Sequence, residues 1–349
     1  MKKTNISALL LAALLLIQLL CAPVSAVTAE PAADAQADAQ TASDNSAGDA
    51  SAEADSVPED QLLSSREQFS VAAKAALLID LNTNRVVYEQ DADERVYPAS
   101  LTKIMTCLIA LENGNLSDVV TVSESALADL DEDSSVAGLV VGEQMTLENL
   151  LYCMMVVSGN DACNVIAEHV AGSVTDFVRM MNQRAYELGC TNTHFNNPHG
   201  LHDESHYTTA RDLAIITQAA LKSENFRQIV DTYEYKLPDD NMRQNIPKLK
   251  TTNMLIYQSM SNSLYYPRAH GIKTGYTSQA GRCVISEATG DGLDLLGIVC
   301  GAATTVLDSG DLLMENFTEC ARLFDYGFDN YSYLTLMSPL YPVDQVKIN

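Results

Sequence analysis

Three short groups of residues in this 349-residue chain carry the functional groups that nucleophilic catalysis needs. Ser100-Leu101-Thr102-Lys103 sets a hydroxyl and an amine three residues apart, which on a helix brings both to one face. A serine hydroxyl is a weak nucleophile at neutral pH and needs a base beside it. Lysine can be that base only where burial or a second cation makes its neutral form accessible. A helix starting at Ser100 adds a backbone N–H and a positive dipole end where an oxyanion can form. About one Ser-x-x-Lys pair is expected by chance in a chain this long, and a capping serine beside a solvated lysine is the plain alternative.

The second group, Ser158-Gly159-Asn160, follows an apolar run and offers a hydroxyl relay and an amide that positions a substrate or the lysine. A helix-stop turn using Gly and Asn is its structural alternative. The third, Lys273-Thr274-Gly275, lies in a strand-like stretch, where glycine is unfavourable unless another backbone or a ligand comes close. A lysine beside a threonine hydroxyl suits a carboxylate by charge and by hydrogen bond. A lysine guarding an edge strand is the alternative here.

Elements that could position these groups are legible around them. Ala75 to Asp80 and Arg85 to Tyr88, separated by Asn82-Thr83-Asn84, predict a hairpin. Ser100 to Glu112 predicts a helix stopped by Asn113-Gly114. Leu147 to Val157 reads as a buried helix, followed by helices over Asp161 to Ala171 and Val174 to Leu188. Thr209-Ala210-Arg211-Asp212 predicts a capping box. Strands are expected over Gly271 to Thr277, Arg282 to Ala288 and Leu293 to Cys300, the last two joined by Gly290-Asp291-Gly292, with a final helix over Leu307 to Phe324. Strands at both ends with helices between them predict an α/β fold: one largely antiparallel sheet flanked by helices, plus a helical subdomain.

Lys2-Lys3, the apolar run Leu9 to Leu20 and small residues at Val24-Ser25-Ala26 predict a secretory signal peptide over 1–26. Residues 27–62 are rich in Ala, Ser and acids, a composition that cannot bury enough apolar surface to order, and read as a solvated spacer. The catalytic domain is expected over 63–330 and a short tail over 331–349, so membrane contact is expected only if the signal segment is retained. Lys and Arg number 21 against 46 Asp and Glu, which excludes a basic nucleic-acid binder. Cys107, Cys153, Cys163, Cys190, Cys283, Cys300 and Cys320 sit singly in mostly apolar runs and read as buried thiols. Neither these nor the six histidines have metal-ligand spacing, so no metal and no cofactor is expected.

Taken together and in this order, the three groups match the signature set of penicillin-binding proteins and serine β-lactamases. Tyr97 to Thr106, Ser158 to Ala162, His199-Gly200-Leu201 and His270 to Thr277 followed by Ala280-Gly281 resemble the serine D-alanyl-D-alanine carboxypeptidases, the low-molecular-mass penicillin-binding proteins. Gly142 to Thr146 leading into Leu150-Leu151 also fits that family. The resemblance implies an exported enzyme, outside the membrane or at the wall, that removes the terminal D-alanine from peptidoglycan stem peptides ending in D-Ala-D-Ala through an acyl-serine. Carried over residue by residue, it makes Ser100 the nucleophile, Lys103 its base and Ser158 a proton relay. Asn160, Lys273, Thr274, Gly275 and Tyr276 become substrate-binding, with the last contributing its backbone N–H to an oxyanion hole. It further implies slow covalent inhibition by β-lactams. A β-lactamase on the same fold and a non-catalytic wall-binding or β-lactam-binding module are the competing readings. His199 fits the pattern equally as a catalytic group or as a turn histidine bonded to the backbone, and Asp161 reads as a support for local structure.

Overall fold

A computed structural model describes residues 69–128, 130, 134–306 and 312–333. All of these belong to a compact unit, Pro58–Asn349; the expected signal peptide and spacer, and most of the tail, lie outside the described residues.

The sheet is built as the sequence predicts. Its order is β2-β1-β9-β8-β7, antiparallel throughout, where β1 is Ala75–Asp80, β2 Arg85–Gln90, β7 Ala269–Thr277, β8 Gly281–Gly290 and β9 Leu293–Ala302. The interior strand β1, AALLID, is buried at every position, as a strand covered on both faces must be. The edge strand β2 keeps mostly exposed or half-buried side chains. The β8–β9 turn places Asp291 at φ 53° and Gly292 at φ 82°, the left-handed pair that a tight hairpin requires.

Helices cover one face: α1 (Lys103–Asn113), α2 (Glu124–Ala128), α3 (Leu147–Val156), α4 (Asn160–Ala171), α5 (Val174–Glu187), α6 (Ala210–Ala220) and α7 (Glu224–Val230). The minor pairs β3 (Val119–Thr121) with β4 (Gln144–Thr146) and β5 (Glu234–Tyr235) with β6 (Leu249–Lys250) brace them. Leu77, Ile79, Ile285 and Ile298 of the sheet pack with Ile104, Leu151, Ile166 and Phe177 in the larger core. On the opposite face Leu78, Val284, Leu295 and Val299 meet Phe317, Cys320, Leu323 and Phe324 of the last helix, α8 (Glu315–Asn330). Burying such apolar side chains is the main stabilising term, about 1.5–3 kcal/mol for each. The seven cysteines among the described residues are buried and unpaired.

Three local expectations are corrected. The chain at Ser100 is a 3₁₀ turn, Ala99–Thr102, with α1 starting only at Lys103; Ala99 at φ 47° tightens the entry. The last helix spans Glu315–Asn330 rather than starting at Leu307, because the β-branched Thr304-Thr305-Val306 pairs as β10 (Thr304–Val306) with β11 (Leu312–Met314). It also runs past Phe324, since Gly327 lets it settle on the sheet: a Cβ there would lie 2.6 Å from Leu295 Cδ1. At α6 the cap is one-sided. Thr209 Oγ1 accepts from Asp212 N, but the Asp212 carboxylate turns away to accept from Asn192 N and Thr193 Oγ1.

Candidate active site

The three motifs converge on one cleft of about 720 Å³, lined among others by Ser100, Ser158, Asn160, Thr274, Gly275 and Tyr276. Lys103 and Lys273 stand just behind its surface, 0% and 1% exposed.

Lys103 Nζ lies 2.9 Å from Ser100 Oγ, 2.7 Å from Asn160 Oδ1 and 2.9 Å from the His199 carbonyl oxygen. Two of these neighbours are carbonyl-type oxygens that can only accept. A neutral amine has two N–H groups to give them, which leaves its lone pair facing the serine hydroxyl. Burial drives the Lys103 pKa below the ordinary lysine value, because no solvent stabilises the ammonium. Burial thus shifts Lys103 towards its neutral form, and the geometry sets that amine where it can take the Ser100 proton.

Ser158 is held at φ 63°, a strained conformation for a residue with a side chain. That turn aims its hydroxyl at Lys273, whose Nζ donates to Ser158 Oγ at 3.0 Å and to the Thr274 carbonyl at 2.9 Å. Burial pushes the Lys273 pKa down, and the nearby Lys103 pushes it further. Lys273 thus reaches the cleft through the Ser158 hydroxyl. Thr274 lines the cleft directly, with its Oγ1 2.6 Å from Thr252 Oγ1.

The glycine in β7 has the reason expected of it, since a backbone does approach. A Cβ on Gly275 would sit 3.0 Å from Ser100 N and 3.1 Å from Pro98 O. This fit holds β7 against the 3₁₀ turn and brings Tyr276 beside the nucleophile's cleft.

Asp161 proves to be a support. Its two carboxylate oxygens accept from the backbone N–H groups of Ala137, Gly138, Leu139 and Ala162 at 2.9–3.0 Å. Together with the Asn160 N–H to Ser135 carbonyl bond, this fastens the segment carrying Ser134 and Ser135 over the cleft. Hydrogen bonds to a charged acceptor contribute about 1.5–3 kcal/mol each, so Asp161→Ala should lower the melting temperature by several degrees and slow acylation of Ser100. An unchanged melting curve and an unchanged labelling rate would refute this role.

His199 takes the turn role of its two readings. It is 8% exposed, its Nδ1 accepts from Leu201 N, and burial with the neighbouring Lys103 drops its pKa to about 3. The ring is neutral, and the residue acts on Lys103 through its carbonyl. Buried thiols near the lysines are silent as well, since burial raises Cys163 to about 12. Among the described residues no group of three or more His, Cys, Asp or Glu side chains is arranged to hold a metal.

Thr252, Ser134, Ser135 and Arg282 also line the cleft and carry no motif. Arg282 lies there because it pairs with Tyr276 across β7 and β8, a register that the alternation of the two strands could have suggested.

A serine hydroxyl beside a desolvated lysine, with a second serine hydroxyl held by a second buried lysine, is an arrangement that suits serine acyl transfer, and it stands on an antiparallel sheet. The profile of the D-alanyl-D-alanine carboxypeptidase family matches residues 62–304, and the chain belongs to that family. It is 37% identical over 284 residues to the D-alanyl-D-alanine carboxypeptidase DacF of Bacillus subtilis, covering 79% of this chain and 67% of that protein. It is 35% identical over 268 residues to DacA of Haemophilus influenzae, covering 75% and 63%. The chain therefore spans about two thirds of the length of these curated relatives. Among solved structures, the Streptomyces K15 DD-transpeptidase superposes with a TM-score of 0.66 at 29% identity, covering 75% of this chain and 98% of that one. Penicillin binding protein 5 from Haemophilus influenzae gives a TM-score of 0.64 at 32% identity, covering 75% of this chain and 72% of that one.

Proposed function

We propose that this protein is a serine D-alanyl-D-alanine carboxypeptidase acting on peptidoglycan stem peptides, with Ser100 as the acylated residue. The observation that carries this reading is the Lys103 amine, buried, with two carbonyl oxygens for its N–H groups and Ser100 Oγ at 2.9 Å for its lone pair. In the acylation step Lys103 takes the hydroxyl proton as Ser100 Oγ attacks the carbonyl carbon between the two D-alanines. The developing oxyanion is placed against the backbone N–H groups of Ser100 and Tyr276. Ser158, backed by Lys273, relays the proton that Lys103 has taken to the departing amine, which returns Lys103 to its neutral form; the C–N bond breaks and D-alanine leaves. Water then attacks the acyl-serine with Lys103 again taking the proton, and the shortened peptide is released.

A β-lactam ring opened by the same attack has no departing fragment, so it remains on Ser100 as a covalent inhibitor. The signal-like residues 1–26 and the solvated composition of 27–62 support export of the enzyme to the wall side of the membrane, where it would trim stem peptides in wall assembly and the control of cell shape.

The test pairs two measurements on the purified protein: labelling by a fluorescent penicillin, and D-alanine release from a diacyl-Lys-D-Ala-D-Ala peptide. Stable label with steady D-alanine release is expected. Absence of both overturns the reading, and prompt loss of label with destruction of the antibiotic assigns the protein to β-lactam hydrolysis instead.

A further inference from the structure

Residues 236–248, between β5 and β6, take no part in the steps above, yet they reach one wall of the cleft. They form a built turn. Leu237 and Ile246 near its two ends are 1% and 5% exposed. Asp240 N donates to the Arg243 carbonyl at 3.0 Å, and Asp240 Oδ1 accepts from Met242 N and Arg243 N at 2.7 Å each. This turn presents Arg243 to residues 134–143, the irregular segment that carries Ser134 and Ser135 past the cleft. Arg243 Nη1 donates to the Gly138 carbonyl at 2.8 Å. Its Nε donates to Glu143 Oε1 at 2.8 Å, and Nη2 donates to the same oxygen. The other Glu143 oxygen accepts from Val140 N at 2.9 Å. Beside this contact Asn241 donates to the Gly142 carbonyl at 2.8 Å and accepts from Gln144 N at 2.7 Å.

Two further observations say what this clamp holds in place. Glu143 is fully buried, unlike the carboxylates of the surface pairs Arg179–Asp176 and Lys248–Glu234, which contribute little because water screens them. The clamped segment ends at the cleft, where Ser134 has a buried Oγ with no partner among the described residues, a hydroxyl open to a ligand. Residues 236–248 then lead through β6 into Thr252, which lines the same cleft and lies 2.6 Å from Thr274 Oγ1. One stretch of chain thus grips the wall that carries Ser134 and continues into the wall that carries Thr252. Arg243 itself does not line the cleft.

We propose that Arg243 is a positioning residue for the substrate. Through Gly138 and Glu143 it fixes the Ser134–Ser135 wall relative to Thr252 and Thr274, and so sets how tightly the stem peptide is held. The inference rests on the carboxypeptidase reading above. A rigid guanidinium fork can hold a backbone carbonyl and a carboxylate at once, which an amine on a flexible stem cannot. Ser100 and Lys103 keep their own contacts with each other, Asn160 and His199, so loosening the wall weakens binding before it slows the chemistry.

The experiment measures D-alanine release from a diacyl-Lys-D-Ala-D-Ala peptide by the full chain, by Arg243→Met, by Arg243→Lys, and by the double variant Arg243→Met with Glu143→Gln. A melting curve accompanies each. Arg243→Met should raise KM about tenfold with kcat within about threefold of wild type, and Arg243→Lys should fall between. The melting temperature of Arg243→Met should drop, since Glu143 is left as an unpaired buried carboxylate. Gln at 143 removes that charge and still accepts from Val140 N, so the double variant should regain stability yet keep the raised KM. A KM that returns to the wild-type value together with the melting temperature would show that Arg243 serves stability alone, and overturns the proposal. An unchanged KM in Arg243→Met overturns it as well. Should Arg243→Met fail to fold, Arg243→Lys and the double variant read the same split between KM and stability. Wild type that neither releases D-alanine nor takes up a fluorescent penicillin would instead bring down the carboxypeptidase reading itself.

Discussion

Lys103→Met is expected to slow acylation of Ser100 about a thousandfold or more while leaving the protein as stable as before, or more so. The rate loss follows because the amine at 2.9 Å is the group placed to accept the Ser100 proton, and general-base groups contribute about 10²–10⁴-fold. The stability follows from burial. Lys103 is 0% exposed and has no carboxylate among its hydrogen-bond partners, so folding forfeits the hydration that its ammonium has in the unfolded chain, a cost that methionine of similar length does not incur. Fluorescent-penicillin labelling and a melting curve read the two effects, and a variant that labels at the wild-type rate would show that another group is the base. The same lysine sets the pH dependence. Only the neutral amine accepts a proton, so acylation should rise with pH through a Lys103 pKa that burial holds below 10.5. The sign for stability is the same. The folded protein binds fewer protons here than the unfolded chain, so this contribution is complete above 10.5 and is lost as pH falls through the depressed value.

Gly200→Ala should have the largest structural effect of any single methyl group added near the cleft. Gly200 has φ +91°, and an ideal Cβ there would lie 1.8 Å from the Ala99 carbonyl oxygen and 2.4 Å from its carbon. Both are backbone atoms of the turn that carries Ser100, and no side-chain rotation can make room. The adjacent His199 carbonyl holds Lys103, so the two halves of the nucleophile–base pair are pushed apart together. Overpacking costs typically about 1–3 kcal/mol and occasionally more, and left-handed backbone adds about 1 kcal/mol for a residue with a Cβ. A melting temperature lower by several degrees and the loss of penicillin labelling are expected. Wild-type labelling in this variant would mean that the turn at Ala99 does not set the position of Ser100.

How much of this could be read from the chain depends on the distance over which each feature is determined. The hairpin of β1 and β2, the apolar run of α3 and the Asp291-Gly292 turn are local patterns, and they appear where the residues place them. The three motifs are legible for the same reason, although their meeting in one cleft is set by the sheet. Ser158 shows the limit. Its left-handed φ goes with a helix-end bond from the Gly159 N–H to the Cys153 carbonyl and with the tertiary contact to Lys273, and no propensity of serine signals it. The one-sided cap at Thr209 has a similar cause, since Asp212 is drawn off by Asn192 and Thr193. Arg282 carries no motif, and its place in the cleft depends on strand register, which joins residues far apart in the chain; likewise Leu312–Met314, inside the stretch expected to be helical, is a strand because it pairs with Thr304–Val306.

The sheet order has a consequence for how the polypeptide is made. β1 stands near the start of the described residues but pairs on one side with β9, so that Leu77 lies opposite Ile298. Until the last strands have left the ribosome, this fully buried strand has only the small hairpin partner β2, and an isolated two-stranded hairpin is marginal in water. Pairings between such distant segments also form slowly once both are present. The growing chain is thereby kept from closing its core until its C-terminal strands are present, so the sheet is completed only after synthesis of the whole domain.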